Sequence, residues 1–290
     1  MQKMKLVMVG NGMAGVRTLE ELLKIAPDQY DITVFGAEPH PNYNRIMLSP
    51  VLAGEQTIDD IILNSREWYA ENGITLHTDK LVTQIDRVKR VVAAEDGTTA
   101  EYDRLLLATG SDPVILPIPG NDLEGVIGFR DIKDVDTMIT ASSIYKHAVV
   151  IGGGLLGLEA ANGLAIRGMD VTVVHLHDWL MERQLDRTAG KMLQKSLEDK
   201  GLKFLLQKQT EQLIGDNGRV SAVRFKDGQE VPADLVVMAV GIRPNIKLAE
   251  AAGIYCDRGI VVNDTMQTYD PRIYAVGECV AHRNMTYGLV

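Results

Sequence analysis

The sequence predicts an α/β fold made of two doubly wound, parallel-sheet domains, each with a small antiparallel β-meander. Three observations predict it. A Gly-x-Gly-x-x-Gly pattern follows a short apolar run twice, the predicted elements after the two copies occur in the same order at similar intervals, and strand and helix patterns alternate around them. The copies lie at Gly10–Gly15 and Gly152–Gly157. Together they indicate two Rossmann-like doubly wound domains.

The first half begins with a strand–helix–strand unit. Met4–Val9 is a short apolar run, which is typical of a buried parallel strand. After the glycines, apolar residues at helical spacing from Val16 to Ala26 predict a helix that Pro27 ends. Asp31–Phe35 then predicts the second strand.

The remainder of the first half mixes loop, helix and strand signals. Residues 39–54 are polar and contain several prolines, so they predict a loop. A capping pattern at Thr57–Asp60 precedes a short predicted helix at Ser65–Asn72. Further strands are predicted at Ile74–His77, Val82–Val88, Val91–Glu95 and Asp103–Gly110.

The second half repeats this order after a proline-containing linker at residues 113–119. The predicted elements are a strand at Ala148–Ile151, a helix at Leu158–Arg167, a strand at Asp170–His175, a helix between Asp186 and Gly201, hairpin turns at Asn217-Gly218 and Asp227-Gly228, and a strand at Asp234–Gly241. The last strand has the same length as its counterpart in the first half, which also runs from an aspartate to a glycine. Matching elements in the same order indicate a duplicated architecture.

Composition excludes several classes of function. The 290 residues have a formal net charge of −9 and no basic block, so nothing indicates a nucleic-acid partner. No apolar run approaches the roughly 18 residues of a membrane span, and Gly10 interrupts the N-terminal apolar run too early for a signal peptide. Two cysteines, Cys256 and Cys279, make neither a disulfide framework nor a metal site. A cytoplasmic protein without metal or membrane partner is expected.

Each glycine loop meets the physical requirements of a dinucleotide phosphate site. Gly10 permits a tight turn, Gly12 lets the backbone approach a pyrophosphate, and Gly15 lets helix and strand pack closely. The helix that follows offers free N–H groups and a partial positive charge. The second loop repeats the three positions at Gly152, Gly154 and Gly157.

An acid near the end of the second strand of such a unit commonly binds the ribose. In the first half Gly36 occupies that place, so Glu38 is predicted to bind the ribose, with an ordinary exposed carboxylate as the alternative. In the second half the place is taken by His175. A histidine could tolerate the 2′-phosphate of NADPH or simply end the strand, so the preference between NADH and NADPH stays open.

These features together resemble the flavoprotein reductases with two dinucleotide-binding domains, the pyridine nucleotide-disulfide oxidoreductase type. The resemblance rests on both glycine loops and on the segments Ala108-Thr109-Gly110, Ala239-Val240-Gly241, Arg243-Pro244-Asn245, and Thr268 with Asp270–Glu278. In that family the first unit binds FAD and the second, inserted unit binds NAD(P)H. The resemblance therefore implies a discontinuous FAD domain at residues 1–114 and 246–290 around an NAD(P)H domain at 115–245.

The resemblance also implies two sets of cofactor contacts. The implied FAD contacts are Gly10, Gly12, Met13, Ala14, Gly15, Glu38, Arg45, Val82, Ala108, Thr109, Gly110, Gly277 and Glu278, the last replacing a more usual aspartate. The implied NAD(P)H contacts are Gly152, Gly154, Leu155, Leu156, Gly157, His175 and Gly241. No catalytic acid or base is singled out, because hydride transfer between cofactors needs stacking and exclusion of water.

Three segments resemble the N-terminal part of the large subunit of NAD(P)H nitrite reductases: Pro41–Pro50, Trp179–Asp186 and Gly277–Gly288. This implies an FAD-dependent oxidoreductase that passes electrons from NAD(P)H onward, in an assimilatory reduction of nitrite to ammonia. A stand-alone reductase for rubredoxin or ferredoxin and a non-catalytic FAD- or NAD-binding sensor remain alternatives. No cysteine precedes Cys256, which disfavours the cysteine-based reductases and peroxidases of this fold.

Nitrite reduction needs sirohaem and iron–sulfur clusters, whose cysteine motifs are absent from the 290 residues. The resemblance therefore implies a front module of a longer polypeptide, whose electrons pass to a downstream redox centre or to a small electron-carrier protein. The family's dimer contacts lie largely in a further C-terminal part, so a homodimer is expected only of a full-length protein.

Overall fold

The structure is a computed structural model that describes residues 3–286, so positions 287 and 288 of the predicted family segment lie outside it. By contacts the described residues divide into two compact units. The first unit comprises residues 3–44, 62–112 and 242–286, and the second comprises residues 45–61 and 113–241.

Within residues 3–286 there are 24 strands and seven α-helices. The strands β1 to β24 are, in order, Met4–Val9, Tyr30–Phe35, Asn42–Tyr43, Ile62–Asn64, Ile74–His77, Val82–Asp86, Val91–Ala94, Thr99–Glu101, Arg104–Leu107, Ser111–Pro113, Val126–Ile127, His147–Ile151, Asp170–His175, Lys203–Leu206, Thr210–Asp216, Arg219–Phe225, Glu230–Pro232, Leu235–Met238, Ile242–Pro244, Cys256–Asp257, Gly259–Val262, Ile273–Ala275, Val280–His282 and Met285–Thr286. The helices α1 to α7 are Met13–Ile25, Leu48–Ala53, Arg66–Glu71, Ile132–Ile144, Leu155–Ile166, Arg187–Glu198 and Lys247–Ala251.

A five-stranded sheet with parallel pairing forms the centre of the first unit, in the order β22-β9-β1-β2-β5. Val9, at the end of β1, is in register with Phe35 on one side and Leu107 on the other. Val7 and Met8 are almost fully buried, as expected of a parallel strand with both faces covered. Because β1 is central, the chain leaves the sheet at Gly10 between two neighbouring strand ends.

The second unit contains the same sheet, in the order β11-β18-β12-β13-β14. Here Ile151, at the end of β12, is in register with Val174 and Met238. Ile151 immediately precedes the second glycine loop as Val9 precedes the first, and each pairs with the last residue of the strand beside it. The predicted α/β fold with a duplicated parallel sheet is therefore confirmed.

Each unit also carries the predicted small antiparallel meander, and in both units it has three strands. In the first unit it is β6-β7-β8, and in the second it is β15-β16-β17. Gly97 and Gly218 adopt φ values of +87° and +84° in the predicted hairpin turns. Glycine is favoured there because a side chain would strain a left-handed backbone.

The prediction of a loop over residues 39–54 is wrong. Two residues of it form β3, and α2 spans Leu48–Ala53 and is followed by a left-handed Gly54. Pro50 is compatible with α2 because it lies in the first turn, where a backbone N–H has no intrahelical acceptor. Leu48 and Val51 are buried at helical spacing, and this pattern is the signal that the prolines concealed.

Helix α4 is not among the predicted elements, although its start carries a clear signal. Asp131 accepts a hydrogen bond from the Asp134 N–H at 2.9 Å, and the Asp134 carboxylate accepts from the Asp131 N–H at 3.4 Å. This reciprocal pair is a capping box. Burial and the neighbouring Asp131 carboxylate raise the pKa of Asp134.

Residues 45–61 group with the second unit, between two stretches of the first. The Arg167 guanidinium donates to the Leu52 carbonyl oxygen, and the Leu52 side chain packs where Gly163 leaves room on α5. A Cβ on Gly163 would come within 2.7 Å of Leu52 Cγ. Across the described residues, no helix is long and apolar enough to cross a membrane.

Candidate functional site

The first glycine loop is shaped by close backbone approaches that exclude a side chain. Gly10 adopts φ +105°, and a Cβ there would lie 2.1 Å from the Ala108 carbonyl oxygen at the end of the neighbouring strand. A Cβ on Gly15 would meet the Ala108 Cβ and the Met8 sulfur, both at 2.9 Å. Gly10 and Gly15 therefore let the loop turn and let α1 pack against β1 and β9.

Gly12 has a different environment, because the space above it is open. It caps α1 without a side-chain hydrogen bond, and no neighbouring heavy atom lies within 4 Å of its Cβ position. The first turn of α1 contains no acidic residue. Its N–H groups, those of Met13, Ala14 and Gly15, have no intrahelical acceptor and carry the positive end of the helix dipole. Backbone and charge thus suit a bound phosphate.

Other predicted contact residues converge on this loop. Gly277, just after β22, adopts φ +83° and packs closely against α1. A Cβ there would lie 2.9 Å from the Ala14 Cβ. Glu278 accepts a hydrogen bond from the Ser111 hydroxyl at 2.7 Å. Thr109 donates to the Asn245 carbonyl at 2.7 Å. The carboxyl ends of β1, β9 and β22 therefore present their residues at one edge of the sheet.

Glu38 lies just beyond β2 at the same edge and is half-buried. Its Oε2 accepts a hydrogen bond from the Tyr43 hydroxyl at 2.7 Å, which orients the carboxylate. Gly36 leaves room for the Asn11 side chain at the end of β2, because a Cβ on Gly36 would come within 3.0 Å of the Asn11 Cβ. The arrangement is compatible with the predicted ribose contact, and that role stays a prediction.

Asn11 was not singled out from the sequence, yet it organises the loop. Its carbonyl accepts from the Asn42 amide at 3.0 Å and its Oδ1 accepts from the Tyr69 hydroxyl at 2.7 Å. Burial raises the pKa of Tyr69 to about 12, so its phenol keeps the proton that it donates. The Asn11 Nδ2 is buried without a partner among the described residues. Only the folded chain brings these residues together, so no local pattern indicates the network.

Val82 and Arg45, two further predicted FAD contacts, stay predictions. Val82 is only 5% exposed and its side chain packs in the core of the first unit with Val9 and Phe35, so its backbone rather than its side chain would meet a ligand. Arg45 belongs to the second unit, where it donates a hydrogen bond to the Arg130 carbonyl at 2.7 Å.

The second glycine loop reproduces the geometry of the first. Gly152 adopts φ +124°, and its Cβ would lie 2.2 Å from the Ala239 carbonyl oxygen. A Cβ on Gly157 would lie 2.1 Å from the Gly152 carbonyl oxygen. Gly154 caps α5 with no heavy atom within 4 Å of its Cβ position, and Gly241 at φ +117° is equally open.

The first residues of α5 complete this open surface. Leu155 is 58% exposed and Leu156 is half-buried at the helix N-terminus. One turn further, Glu159 accepts a hydrogen bond from the Ser49 hydroxyl at 2.6 Å. Sequence reasoning missed this pair because its members are far apart along the chain.

His175 lies at the end of β13, beneath the second glycine loop. The side chain is 8% exposed, and its Nδ1 accepts the Gly153 N–H at 3.1 Å. Its Nε2 therefore carries the proton and donates to Glu182 Oε2 at 3.0 Å. The other carboxylate oxygen of Glu182 lies 3.5 Å from His177 Nε2. Sequence reasoning singled out His175 but not its partner Glu182.

Neither cysteine is placed for redox chemistry. Both are free thiols, Cys279 fully buried and Cys256 partly so. Burial raises the pKa of both thiols, that of Cys256 to about 11. Within residues 3–286, no group of three or more His, Cys, Asp or Glu side chains is placed to hold a metal ion.

A family model described as pyridine nucleotide-disulphide oxidoreductase matches residues 4–288. The chain belongs to the pyridine nucleotide-disulphide oxidoreductase family. Members of this family use FAD and NAD(P)H. Both glycine loops fit the phosphates of such cofactors, because Gly12 and Gly154 leave open space above a helix N-terminus whose N–H groups no capping side chain occupies.

The chain is also similar to individual reductases and electron transfer proteins. The chain is 60% identical over 290 residues to a nitrite reductase [NAD(P)H] of Bacillus subtilis, covering 100% of this chain and 36% of that protein. It is 53% identical to the assimilatory nitrate reductase electron transfer subunit of the same organism, covering 100% of this chain and 38% of that one. The chain thus spans little more than a third of the length of these relatives.

A solved structure supports the fold. The structure of the covalent putidaredoxin reductase–putidaredoxin complex superposes with a TM-score of 0.89 at 32% identity, covering 99% of this chain and 70% of that one.

Proposed function

We propose that this chain is the electron-input module of an FAD-dependent NAD(P)H oxidoreductase of the assimilatory nitrite reductase type. The first unit holds FAD, the second binds NAD(P)H, and the electrons pass to a downstream redox centre of the same polypeptide. The observation that carries the proposal is the duplicated phosphate-loop geometry, with two open helix N-termini on one chain. The identity to a nitrite reductase over all 290 residues supports the nitrite reductase type.

The roles of the residues follow from their positions. The N–H groups after Gly12 bind the FAD pyrophosphate, Glu38 takes the ribose, Gly277 lies beside the first turn of α1, and Glu278 contacts FAD with its carboxylate oriented by Ser111. When bound, FAD accepts a hydride from the nicotinamide and releases electrons singly. The domain limits of 1–114 with 246–290 and of 115–245 belong to this proposal, and they differ from the two units at residues 45–61, which group with the second unit by contacts. Nitrite reduction itself takes place outside the 290 residues, since two cysteines cannot ligate sirohaem and iron–sulfur clusters.

The proposal extends to the setting of the protein. A reducing, cytoplasmic compartment suits a chain whose two cysteines are both free. Dimerisation is proposed only for a longer, full-length protein.

Anaerobic titration tests the proposed function. The FAD-loaded chain is mixed with NADH and, in parallel, with NADPH, and the flavin absorbance is followed. We expect at least one nicotinamide cofactor to bleach the flavin stoichiometrically, because the chain binds both partners of the transfer. A chain that holds FAD and is bleached by neither cofactor would contradict the enzyme proposal and favour a non-catalytic sensor.

A reductase for a small iron–sulfur carrier is the second candidate. It is favoured by the structural match to putidaredoxin reductase, of which this chain covers 70%. The two candidates differ in the electron acceptor. Rapid oxidation of the reduced chain by added rubredoxin or ferredoxin would favour the carrier reductase, whereas slow oxidation would favour transfer within a longer polypeptide.

A further inference from the structure

We propose that Glu182 sets the cofactor preference of the second unit. Its carboxylate accepts hydrogen bonds from the adenosine ribose hydroxyls of NADH and repels the 2′-phosphate of NADPH. The inference rests on the proposed function, because it assigns the specificity of the same nicotinamide site.

The residue at the usual position for this role is not available. His175 ends β13, where a carboxylate commonly binds the ribose. Its ring lies under the glycine loop: a Cβ on Gly153 would come within 2.8 Å of it. Nδ1 is occupied by the Gly153 N–H and Nε2–H by Glu182. With both nitrogens paired and 8% of the side chain exposed, His175 positions its neighbours rather than binding a ribose.

Glu182 lies on the far side of the His175 ring from the glycine loop, and its side chain is a carboxylate. Its Oε2 is held 3.0 Å from His175 Nε2, and its Oε1 lies 3.5 Å from His177 Nε2. The side chain remains 21% exposed. Each carboxylate oxygen has two lone pairs, so Glu182 can accept further hydrogen bonds from a pair of hydroxyls.

The segment that carries Glu182 is anchored to the glycine loop. The Met181 N–H donates to the Gly153 carbonyl at 2.9 Å, and the fully buried Leu180 packs against the same glycine. Gly153 therefore contacts both His175 and the residues preceding Glu182. The carboxylate is positioned relative to the loop that binds the pyrophosphate, as a specificity residue must be.

The charges near Glu182 favour a ribose with free hydroxyls. A 2′-phosphate adds nearly two negative charges, and a neighbouring carboxylate repels them. Arg187, at the start of the following helix, is paired with the Asp178 carboxylate and lies over the Trp179 ring. These contacts compete with any binding of a 2′-phosphate by Arg187. Arg183, exposed beside Glu182, is the main competing element, since an arginine can bind a phosphate. The exposed His177 ring, 3.5 Å from Glu182 Oε1, is a second group that can donate to a phosphate.

Binding of the oxidised cofactors tests the inference without requiring turnover. NAD⁺ and NADP⁺ are titrated into the FAD-loaded chain by calorimetry, and the ratio of their Kd values is the readout. The wild-type chain should bind NAD⁺ at least about tenfold more tightly. Glu182→Gln keeps an acceptor for His175 but removes the charge, so the ratio should fall about tenfold. Glu182→Arg should invert the preference.

Glu198→Gln is the matched control. Glu198 is an exposed carboxylate at the end of α6, hydrogen-bonded to Gln194, and its loss should leave the ratio unchanged. Glu182 is a partly exposed surface residue, and unchanged thermal unfolding of both of its variants checks that they fold.

The outcomes separate this inference from the function on which it rests. A wild-type chain that binds neither NAD⁺ nor NADP⁺ overturns the proposed function, and the inference falls with it. Binding of both cofactors with the same Kd ratio in wild type and both Glu182 variants overturns the inference alone. A wild-type preference for NADP⁺ that Arg183→Gln abolishes also overturns it, because the specificity would then belong to Arg183.

Discussion

Gly10 and Gly12 lie in one loop but meet different physical requirements. Gly10→Ala should lower the free energy of unfolding by about 2 kcal/mol or more, because a left-handed backbone and a 2.1 Å contact both oppose the methyl group. Gly12→Ala should cost less, at most about 1 kcal/mol, since φ is −82° and the space is open and only the poorer N-cap preference of alanine opposes it. The added methyl group instead obstructs a phosphate, so FAD affinity should fall at least about tenfold.

Urea unfolding and FAD titration of the two variants measure these effects separately. Equal loss of stability in both variants would show that Gly12 is structural. Unchanged FAD affinity in Gly12→Ala would remove the first loop from the FAD site.

The cysteines illustrate how burial controls reactivity. The pKa of Cys256 is raised to about 11 and that of Cys279 is also raised, so at pH 8 both carry almost no thiolate. A disulfide-exchange reagent should label the native chain at pH 8 far more slowly than the urea-unfolded chain, where both thiols react. The reaction of Cys256 should accelerate as the pH approaches 11. Fast native labelling of either thiol at pH 8 would contradict the assignment of both as inert side chains.

At the scale of elements, the packing of α2 on α5 depends on Gly163. Alanine is a better helix former than glycine by about 1 kcal/mol, but its methyl group would come within 2.7 Å of Leu52 Cγ. Gly163→Ala should therefore destabilise the wild-type chain by about 1 kcal/mol. In a Leu52→Ala background the Cγ and Cδ2 contacts are gone and only the Cβ contact at 3.3 Å remains, so the same change should be stabilising, by up to about 1 kcal/mol.

A double-mutant cycle on thermal or urea unfolding measures this reversal of sign. If Gly163→Ala changes the free energy of unfolding equally in both backgrounds, the Leu52 side chain does not pack against Gly163.

The elements also differ in how well local sequence predicts them. The strand β1 and helix α1 follow from apolar runs and helical spacing, and both occur within a few residues of their predicted ends. Helix α2 escapes prediction because Pro50 resembles a break, although a proline is compatible with the first turn of a helix. Helix α4 escapes it although Asp131 and Asp134 form a capping box.

At the scale of the whole molecule, the duplication predicts two separate dinucleotide sites. A ligand that binds only the folded chain raises its stability, by about 2.7 kcal/mol at 100 times its Kd. FAD and NAD⁺ should each raise the Tm of the wild-type chain. Gly12→Ala should reduce the shift caused by FAD and keep that caused by NAD⁺, whereas Gly154→Ala should do the reverse. These glycines are matched, since both cap a helix below open space.

Differential scanning fluorimetry with each ligand on each variant checks the prediction. Loss of both shifts in either variant would show that the two sites are not independent, and loss of neither would place the ligands outside the glycine loops.

The duplicated architecture could be predicted from the sequence because the repeated spacing of glycine loops and apolar runs survives in the sheet registers of both units. The grouping of residues 45–61 could not. Their local sequence pattern does not indicate which unit they pack against. Leu52 contacts Arg167 and Gly163, and these contacts attach residues 45–61 to the second unit.

The sequence by itself determined the family, the two glycine loops and the presence of a histidine where an acid is usual. These properties depend on residue type and spacing along the chain, which the sequence displays directly. Only the tertiary structure decided that His175 turns beneath Gly153 and holds Glu182 at 3.0 Å, or that Tyr69 donates to Asn11. Such contacts arise when the chain folds back on itself, and the burial and hydrogen-bond partners that define them do not exist until it does.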